Sequence, residues 1–455
     1  MSTWYPFAVL AVGLVVVVGG IIVLRLHAFL SLIAAALVVS LLAPGDWAEK
    51  VPRVAEAFGD TAAGIGIIIA LAAIIGMAMA ASGAADRVVE LFLRLFGRER
   101  GAGALSASGF TLAIPVFFDT VFFLLVPLVR SMYRRSGRHY VRYLIAAATC
   151  ASAHALVPPT PGPLLVADTL GVEVGTMMIV GLAVGLPAAL AGLAFAAWTD
   201  RRMAVAAPDH QLPAQPAAAR ALPGAIWSLA PIVLPVALIT CGNVLRAAGL
   251  DGGADGAGGS WLRLFQVLGT PDLALLLAAA VALLTWWRQR RPDRETLSEG
   301  IGDALMTGGV IVLITCAGGA FGAALRMAEL APAIRALTGD SAAAGVGVLF
   351  LGFGVTALLK FAQGSSTAAM IVASAMLAAM LDTSGVGFHR VYVATAIGSG
   401  SLVGSWMNDS GFWIFARMGG LTERQTLGTW TPLLALMGLV GMAVTLLLVS
   451  LFPMA

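Results

Sequence analysis

Charged side chains are scarce in this 455-residue sequence: Asp, Glu, Lys and Arg make up 11% of the residues, whereas hydrophobic residues make up 59%. This balance excludes a single soluble domain, because the core of a soluble domain stops growing at roughly 250–300 residues. Long apolar runs separated by short charged loops are typical of a multi-pass membrane protein. We therefore expect the chain to lie in the lipid bilayer of the inner membrane.

Cysteine is also rare, with only Cys150, Cys241 and Cys316 present. They lie in apolar stretches without metal-site spacing, so we predict neither a metal centre nor a disulfide framework. Residues 1–24 lack a basic start and a small-residue cleavage site. They are better interpreted as the first membrane span than as a removed signal peptide. We expect no cofactor and no nucleic-acid partner.

Ten segments are apolar and close to the length of about 20 residues that a helix needs to cross a bilayer. They lie at residues 5–25, 28–43, 60–82, 143–168, 174–199, 223–246, 271–288, 301–326, 390–416 and 429–452. Two further apolar regions, 103–130 and 343–381, do not fit a pattern of single crossings. The predicted fold class is an all-α polytopic membrane protein.

The region 103–130 has arginines on both sides. They are Arg87, Arg94, Arg98 and Arg100 before it, and Arg130, Arg134, Arg135, Arg138 and Arg142 after it. Because positively charged loops stay in the cytoplasm, both ends of this region are predicted to face that side. Such a segment forms a re-entrant helical hairpin, whose arms need about 10–13 residues each to reach mid-membrane. A single span kinked by proline is the alternative.

The remaining basic residues orient the other spans. The arginine-containing loops 200–222 and 288–299 are predicted in the cytoplasm, and the loops 44–57 and 247–263 in the periplasm. Both chain termini then face the periplasm, and the region 343–381 begins and ends outside. Charge alone leaves two interpretations of 343–381 open, a second re-entrant hairpin or two short spans.

A weak internal repeat recurs at a spacing close to 243 residues. Gly59-Asp60 and Gly302-Asp303 each open a long apolar helix, and Gly109-Phe110 and Gly352-Phe353 each open a hairpin region. Such self-similarity indicates two copies of one structural unit.

The repeat predicts halves at 1–199 and 223–455, joined by a cytoplasmic linker at 200–222. Each half holds five spans, an odd number, so the second half is inverted relative to the first. Each half also contains one broken helix, about 143–168 in the first and about 390–416 in the second. Inverted halves with broken elements at mid-membrane are typical of secondary transporters.

In the first half, two segments carry polar or helix-breaking residues at membrane depth. Irregular backbone is tolerated there only where it lines a cavity. Pro115 breaks the first hairpin, and Asp119 and Thr120 follow it. The first broken helix carries His154 and Thr160 beside closely spaced prolines, which exclude a continuous helix.

In the second half, the hairpin carries an unusual polar run: Lys360, Gln363, Gly364, Ser365, Ser366 and Thr367. Free N–H groups and hydroxyls at a helix N-terminus hold anions, and the lysine adds a positive charge. The second broken helix contributes Asn408, Asp409 and Ser410. A cation, hydroxyls and amides suit a carboxylate, and the acidic groups could carry a proton. A small hydroxy acid or sugar acid fits this set.

The polar residues also have structural interpretations. A charge at mid-bilayer costs at least about 2.5–3.5 kcal/mol, which favours an ion pair of Lys360 with Asp119 or Asp409. Such a pair is compatible with lining a binding site. His154 is also consistent with a core histidine that donates to a carbonyl, and the proline and glycine segments with packing kinks.

These segments resemble those of the gluconate permease family, gluconate:proton symporters of the ion-transporter superfamily. The matching stretches run through both halves in the same order: 58–61, 114–119, 153–163, 360–367 and 408–413. Thr160 stands where family members that handle gluconate often have a second histidine. This departure bears on gluconate itself more than on the family.

The resemblance implies proton-coupled uptake of gluconate-like sugar acids or small hydroxy acids. It also implies a homodimer with a fixed scaffold and a moving, elevator-like transport domain. The hairpins and broken helices would then bind the substrate. The scaffold and dimer surface would be formed by the spans 5–25, 28–43, 223–246 and 271–288.

This hypothesis assigns roles to the polar residues. The substrate carboxylate is expected to bind the hairpin amides and the side chains of Lys360, Ser365, Ser366 and Thr367. The substrate hydroxyls are expected to contact Asn408, His154 and Thr160. The proton-coupling candidates are Asp119, Asp409 and His154.

Other functions remain open. A sodium-coupled carrier, a cation antiporter or a D-amino-acid permease, such as one for D-serine, would use the same scaffold. An intramembrane hydrolase with Ser365, His154 and Asp409 is disfavoured, because polar tips in both halves indicate a binding site. Two occluding hairpins also disfavour an open channel. We expect no enzymatic activity.

The predicted topology can be tested by cysteine labelling in a cysteine-free background. We expect Asp46→Cys, in the loop 44–57, to react with a membrane-impermeant maleimide in intact cells. Arg138→Cys is expected to react only after the membrane is permeabilised. The opposite pattern at either position would contradict the orientation.

Overall fold

The computed structural model describes residues 4–97, 100–203, 205, 221–247, 264–328, 345–381, 386–407 and 409–454. These residues form α-helices, and no strand occurs among them. Seven helical segments in this part of the chain are long and apolar enough to cross a membrane: Pro52–Ser82, Tyr140–Thr169, Val174–Asp200, Ala225–Gly242, Pro271–Arg290, Arg294–Met327 and Glu423–Leu451. The predicted all-α polytopic class is confirmed.

The helices up to residue 200 are α1 (Tyr5–Ile22), α2 (Ala28–Leu42), α3 (Pro52–Ser82), α4 (Ala84–Phe96), α5 (Gly101–Leu112), α6 (Phe118–Ser136), α7 (Tyr140–Ala148), α8 (Ala151–Leu156), α9 (Pro161–Thr169) and α10 (Val174–Asp200). The later helices are α11 (Ala225–Ala247), α12 (Pro271–Arg290), α13 (Arg294–Met327), α14 (Gly347–Gln363), α15 (Ser366–Leu381), α16 (Val391–Gly400), α17 (Ser410–Gly419), α18 (Glu423–Leu427) and α19 (Trp430–Leu451).

Both predicted hairpin regions contain two helices that pack against each other, α5 with α6 and α14 with α15. Pro115 lies in the first break, between Leu112 and Phe118. In the second break, Gly364 adopts a left-handed φ of 79°, which glycine reaches without steric cost. Whether each hairpin crosses only half of the membrane stays a prediction.

The two predicted broken helices are interrupted where the sequence indicates. The first stops at Leu156 and resumes at Pro161, because prolines lack the N–H that a continuing helix requires. The second stops at Gly400 and resumes at Ser410. Irregular backbone therefore interrupts both of these helical segments.

The long helices α3 and α13 pack extensively against each other. They approach closely where a Cβ on Gly319 would lie 2.0 Å from Thr61 Oγ1. Helix α13 also packs against α2 and α15, and α12 packs against both α3 and α11. Most of the predicted linker 200–222 and of the loop 247–263 lies outside the described residues, and the division into two inverted halves stays a prediction.

Helix α16 packs against α14 at a backbone contact that generates a stability prediction. A Cβ on Gly400 would lie 2.3 Å from the carbonyl oxygen of Phe353, so the helices must separate to admit it. We expect Gly400→Ala to lower the free energy of unfolding by about 1–3 kcal/mol, the usual cost of overpacking. Thermal unfolding of the purified protein measures this loss.

The matched control is Gly354→Ala on α14. A Cβ there meets nothing within 4 Å, and alanine favours a helix by about 1 kcal/mol over glycine. We expect its unfolding temperature to stay the same or rise. Equal losses in both variants would contradict the contact.

Candidate functional site

The centre of the candidate site is a buried ion pair. Lys360 Nζ donates to Asp409 Oδ2 at 2.8 Å and to the carbonyl oxygen of Gly364 at 2.6 Å. The two charged residues are 1% and 8% exposed. Because Lys360 lies in the last turn of α14 and Asp409 caps α17, the pair joins the second hairpin to the second broken helix. The structural ion pair considered from the sequence is therefore present.

Further donors surround the Asp409 carboxylate. Its Oδ1 accepts from the backbone N–H of Gly411 at 2.9 Å, and its Oδ2 accepts from the hydroxyl of Ser405. The Ser405 oxygen in turn accepts from Trp430 Nε1 at 2.7 Å. Both carboxylate oxygens are thus engaged by the protein itself.

Asp119 and His154 lie close enough to interact electrostatically with the pair, Asp119 with Asp409 and His154 with Lys360. Asp119 is exposed at the start of α6 and forms no ion pair with any described residue. The His154 ring meets Phe117 edge-on, with 6.4 Å between centroids. The structure therefore brings together four of the predicted residues, one from each hairpin and one from each broken helix.

His154 carries an unsatisfied group at this site. Its Nδ1 is buried and has no hydrogen-bond partner among the described residues. Leaving a buried polar atom unpaired costs about 1–3 kcal/mol, and most such atoms are paired with protein or water. A ligand hydroxyl or a water molecule would satisfy it.

The predicted hydroxyl groups of the second hairpin differ in their surroundings. Ser365 Oγ accepts from Ala368 N at 3.2 Å, while Ser366 Oγ donates to the carbonyl of Ser401 at 2.9 Å. Ser365 is exposed and Thr367 is half-buried. Helix α9 packs beside them, since a Cβ on Gly162 would lie 3.9 Å from Thr367 Cα.

The other predicted residues contribute less to this geometry. Thr160 Oγ1 donates to the carbonyls of His154 and Val157 at 2.9 and 2.6 Å, so its proton is used within the helix break. Ser410 is exposed at the start of α17. Asn408 and the side chain of Gln363 lie outside the described residues. Their roles stay predictions.

A small cavity of about 180 Å³ opens beside the first hairpin. Its lining includes Pro115, Phe117, Thr120, Gly76, Asp303 and Thr307. Thr120 was a predicted site residue, whereas Asp303 and Thr307 of α13 were not. The repeated Gly-Asp pair at Gly302-Asp303 is the available signal, but the repeat predicts only the start of a helix, whereas the pair lies inside α13 (Arg294–Met327).

The sequence of this chain matches a family of membrane permeases. The family model described as GntP family permease matches residues 5–452. The chain belongs to the GntP permease family. The resemblance found from the sequence motifs is confirmed, and the protein is a multi-pass inner-membrane permease.

Curated relatives agree with GntP-family membership. A gluconate permease of Pseudomonas aeruginosa is 33% identical over 444 residues and 96% of each chain. In Escherichia coli, a low-affinity gluconate transporter is 28% identical over 92% of each chain. The Gnt-II system L-idonate transporter of the same organism is 28% identical over 96% of this chain and 98% of the relative.

The crystal structure of the YdaH transporter of Alcanivorax borkumensis, described as having an unusual topology, has the same fold. Its TM-score is 0.63, its sequence is 13% identical, and the match covers 99% of this permease and 100% of that chain. At this identity the likeness concerns the fold alone.

The ion pair generates a stability prediction. Lys360→Met leaves the Asp409 carboxylate buried without its cation, which we expect to lower the free energy of unfolding by about 3–5 kcal/mol. Combining it with Asp409→Asn removes the charge but keeps an oxygen to cap α17, so most of the loss is expected to be recovered. Thermal unfolding of the three proteins measures both effects.

Lys50→Met is the matched control for this experiment. Lys50 is 6% exposed and donates to the carbonyl of Leu41 at 2.7 Å, a bond without a charged acceptor. Its Nζ also lies 4.0 Å from the centroid of the Trp47 ring. We expect its loss to be about 2 kcal/mol, smaller than that of Lys360→Met because no buried carboxylate is left without its cation. A double variant at Lys360 and Asp409 no more stable than Lys360→Met alone would contradict the pairing.

Proposed function

We propose that this GntP-family permease takes up a gluconate-like sugar acid or small hydroxy acid across the inner membrane together with protons. One observation carries the proposal: the buried Lys360–Asp409 pair interacts electrostatically with His154, whose buried Nδ1 has no hydrogen-bond partner among the described residues. Relatives that are named gluconate and L-idonate transporters support the substrate class.

The carboxylate of the substrate would bind at the start of α15. The N-terminus of a helix carries a partial positive charge and free N–H groups, both of which favour an anion. Ser365 and Thr367 offer accessible hydroxyls there, and Lys360 lies within the preceding turn. Because the Asp409 carboxylate already neutralises the charge of Lys360, the lysine would attract a substrate anion without binding that anion too tightly for release.

The substrate hydroxyls would be bound from the first half. His154 Nδ1 would exchange a hydrogen bond with a substrate hydroxyl, which removes the cost of an unpaired buried nitrogen. The adjacent Phe117 ring would shield this contact from water. Loss of this one polar contact would affect hydroxy acids more than simple carboxylates.

Asp119 is the stronger candidate for the coupled proton. Asp409 accepts from three groups, whereas Asp119 is exposed and forms no ion pair in the described chain. A protonated carboxyl is far cheaper to move through the membrane than an ionised one. Proton binding at Asp119 would therefore permit the loaded site to move.

The moving body would consist of the hairpins and broken helices. Gly400 approaches the Phe353 backbone, and a Cβ on Gly162 would lie 2.0 Å from Met370 Cε. These tight contacts tie both broken helices to the second hairpin and support movement as one unit. Helices α1, α2, α11 and α12 would form the scaffold and the homodimer surface.

The test is uptake of labelled gluconate into proteoliposomes. With protons more concentrated outside, we expect accumulation that stops when the gradient is dissipated and that persists when sodium is replaced by choline. Asp119→Asn is expected to abolish gradient-driven accumulation while gluconate binding is retained. Asp46→Asn, in the loop 44–57, is the control and should behave like the wild type.

Two results would contradict this proposal. Uptake that requires sodium and ignores the pH gradient would favour a sodium-coupled carrier. Failure of gluconate, glycerate, hydroxybutyrate and D-serine alike to raise the unfolding temperature would remove the proposed substrate class.

A further inference from the structure

Trp430 is not one of the predicted site residues, but its indole N–H takes part in the hydrogen bonds of the candidate site. It is the first residue of α19 and is 2% exposed. Its Nε1 donates to Ser405 Oγ at 2.7 Å, and the Ser405 hydroxyl donates to Asp409 Oδ2. The three side chains form one relay that ends on the carboxylate paired with Lys360.

The direction of this relay follows from the chemistry of its members. An indole N–H can only donate, and a serine hydroxyl has a single proton. Once the Ser405 oxygen accepts from Trp430, its proton is left to point at the Asp409 carboxylate. Without the indole donor, the Ser405 hydroxyl could rotate toward another acceptor. Trp430 therefore fixes the orientation of the hydrogen bond from Ser405 to Asp409, although it takes no direct part in that bond.

Aromatic packing holds the Trp430 ring in one position. Its centroid lies 5.3 Å from those of Phe118 and Phe415, within the favoured range for aromatic pairs. Phe118 directly precedes Asp119 at the start of α6, and a Cβ on Gly411 would lie 2.9 Å from the indole. The ring thus contacts the first hairpin and the second broken helix together.

We propose that Trp430 is a positioning residue for substrate binding, which acts through Ser405 on Asp409 and so on Lys360. The inference rests on the proposed function, because it assigns the ion pair to anion binding. Holding Asp409 in one orientation keeps the Lys360 ammonium directed toward the start of α15. The tryptophan thereby determines how well a substrate carboxylate is attracted.

The experiment compares Trp430→Phe, Ser405→Ala and the double variant. Phenylalanine keeps the ring but removes the N–H, so packing against Phe118 is largely preserved. We expect each single variant to raise the Kd and KM for gluconate about 2- to 10-fold, as for the loss of one hydrogen bond, with kcat unchanged. The double variant should be no worse than the singles, because both changes interrupt one relay.

Trp413→Phe is the matched control. Its Nε1 donates to the carbonyl of Met407 at 2.7 Å, in the same broken helix but outside the relay. We expect it to leave the KM unchanged even where it lowers the unfolding temperature. A KM increase equal to that of Trp430→Phe would overturn the positioning role.

A readout without substrate separates this inference from the proposed function. Thermal unfolding of the four relay proteins should also be non-additive, since either change removes the bond between Trp430 and Ser405. Additive losses would overturn the relay. If gluconate and its analogues do not bind the wild type, the proposed function is wrong. The thermal-unfolding comparison of the four proteins still tests whether Trp430, Ser405 and Asp409 form one relay. Normal binding by Trp430→Phe overturns the positioning role alone.

Discussion

The structure depends on one electrostatic constraint: a lysine and an aspartate buried within the membrane bundle must neutralise each other. The same pair also satisfies backbone groups that two helix breaks would otherwise leave unpaired. Lys360 donates to the carbonyl of Gly364 at the end of α14, and Asp409 accepts from the N–H of Gly411 at the start of α17. Unpaired backbone groups and unpaired charges are both unfavourable in a low-dielectric environment. The breaks and the charges therefore stabilise each other.

The two broken helices use different chemistry at their breaks. In the first half, the neutral hydroxyl of Thr160 satisfies two carbonyls of the interrupted helix. His154 Nδ1 and the Asp119 carboxylate stay without a described hydrogen-bond or ion-pair partner. The Lys360–Asp409 pair therefore neutralises its own charges, whereas His154 and Asp119 keep polar atoms that no described residue engages.

Much of the fold could be predicted because membrane helices and their breaks have strong local signals. Pro115 and Gly364 mark the two hairpin breaks by restricting or extending the allowed φ angles. The partner of Lys360 could not be chosen between Asp119 and Asp409, because that depends on tertiary packing. Trp430 was missed because a tryptophan at the start of an apolar span is indistinguishable from a packing residue. Its role emerges only from the hydrogen bond to Ser405.

The separation of the charged partners along the chain has a consequence for biogenesis. Asp409 lies 49 residues after Lys360, so the lysine leaves the ribosome before its counter-charge has been synthesised. During that interval, an inserted second hairpin would hold an unpaired ammonium in lipid, at a cost of several kcal/mol. The hairpin is thus expected to wait at the membrane surface or beside the insertion machinery. Its final insertion becomes coupled to the arrival of the second broken helix, which makes integration of this region a concerted, late step.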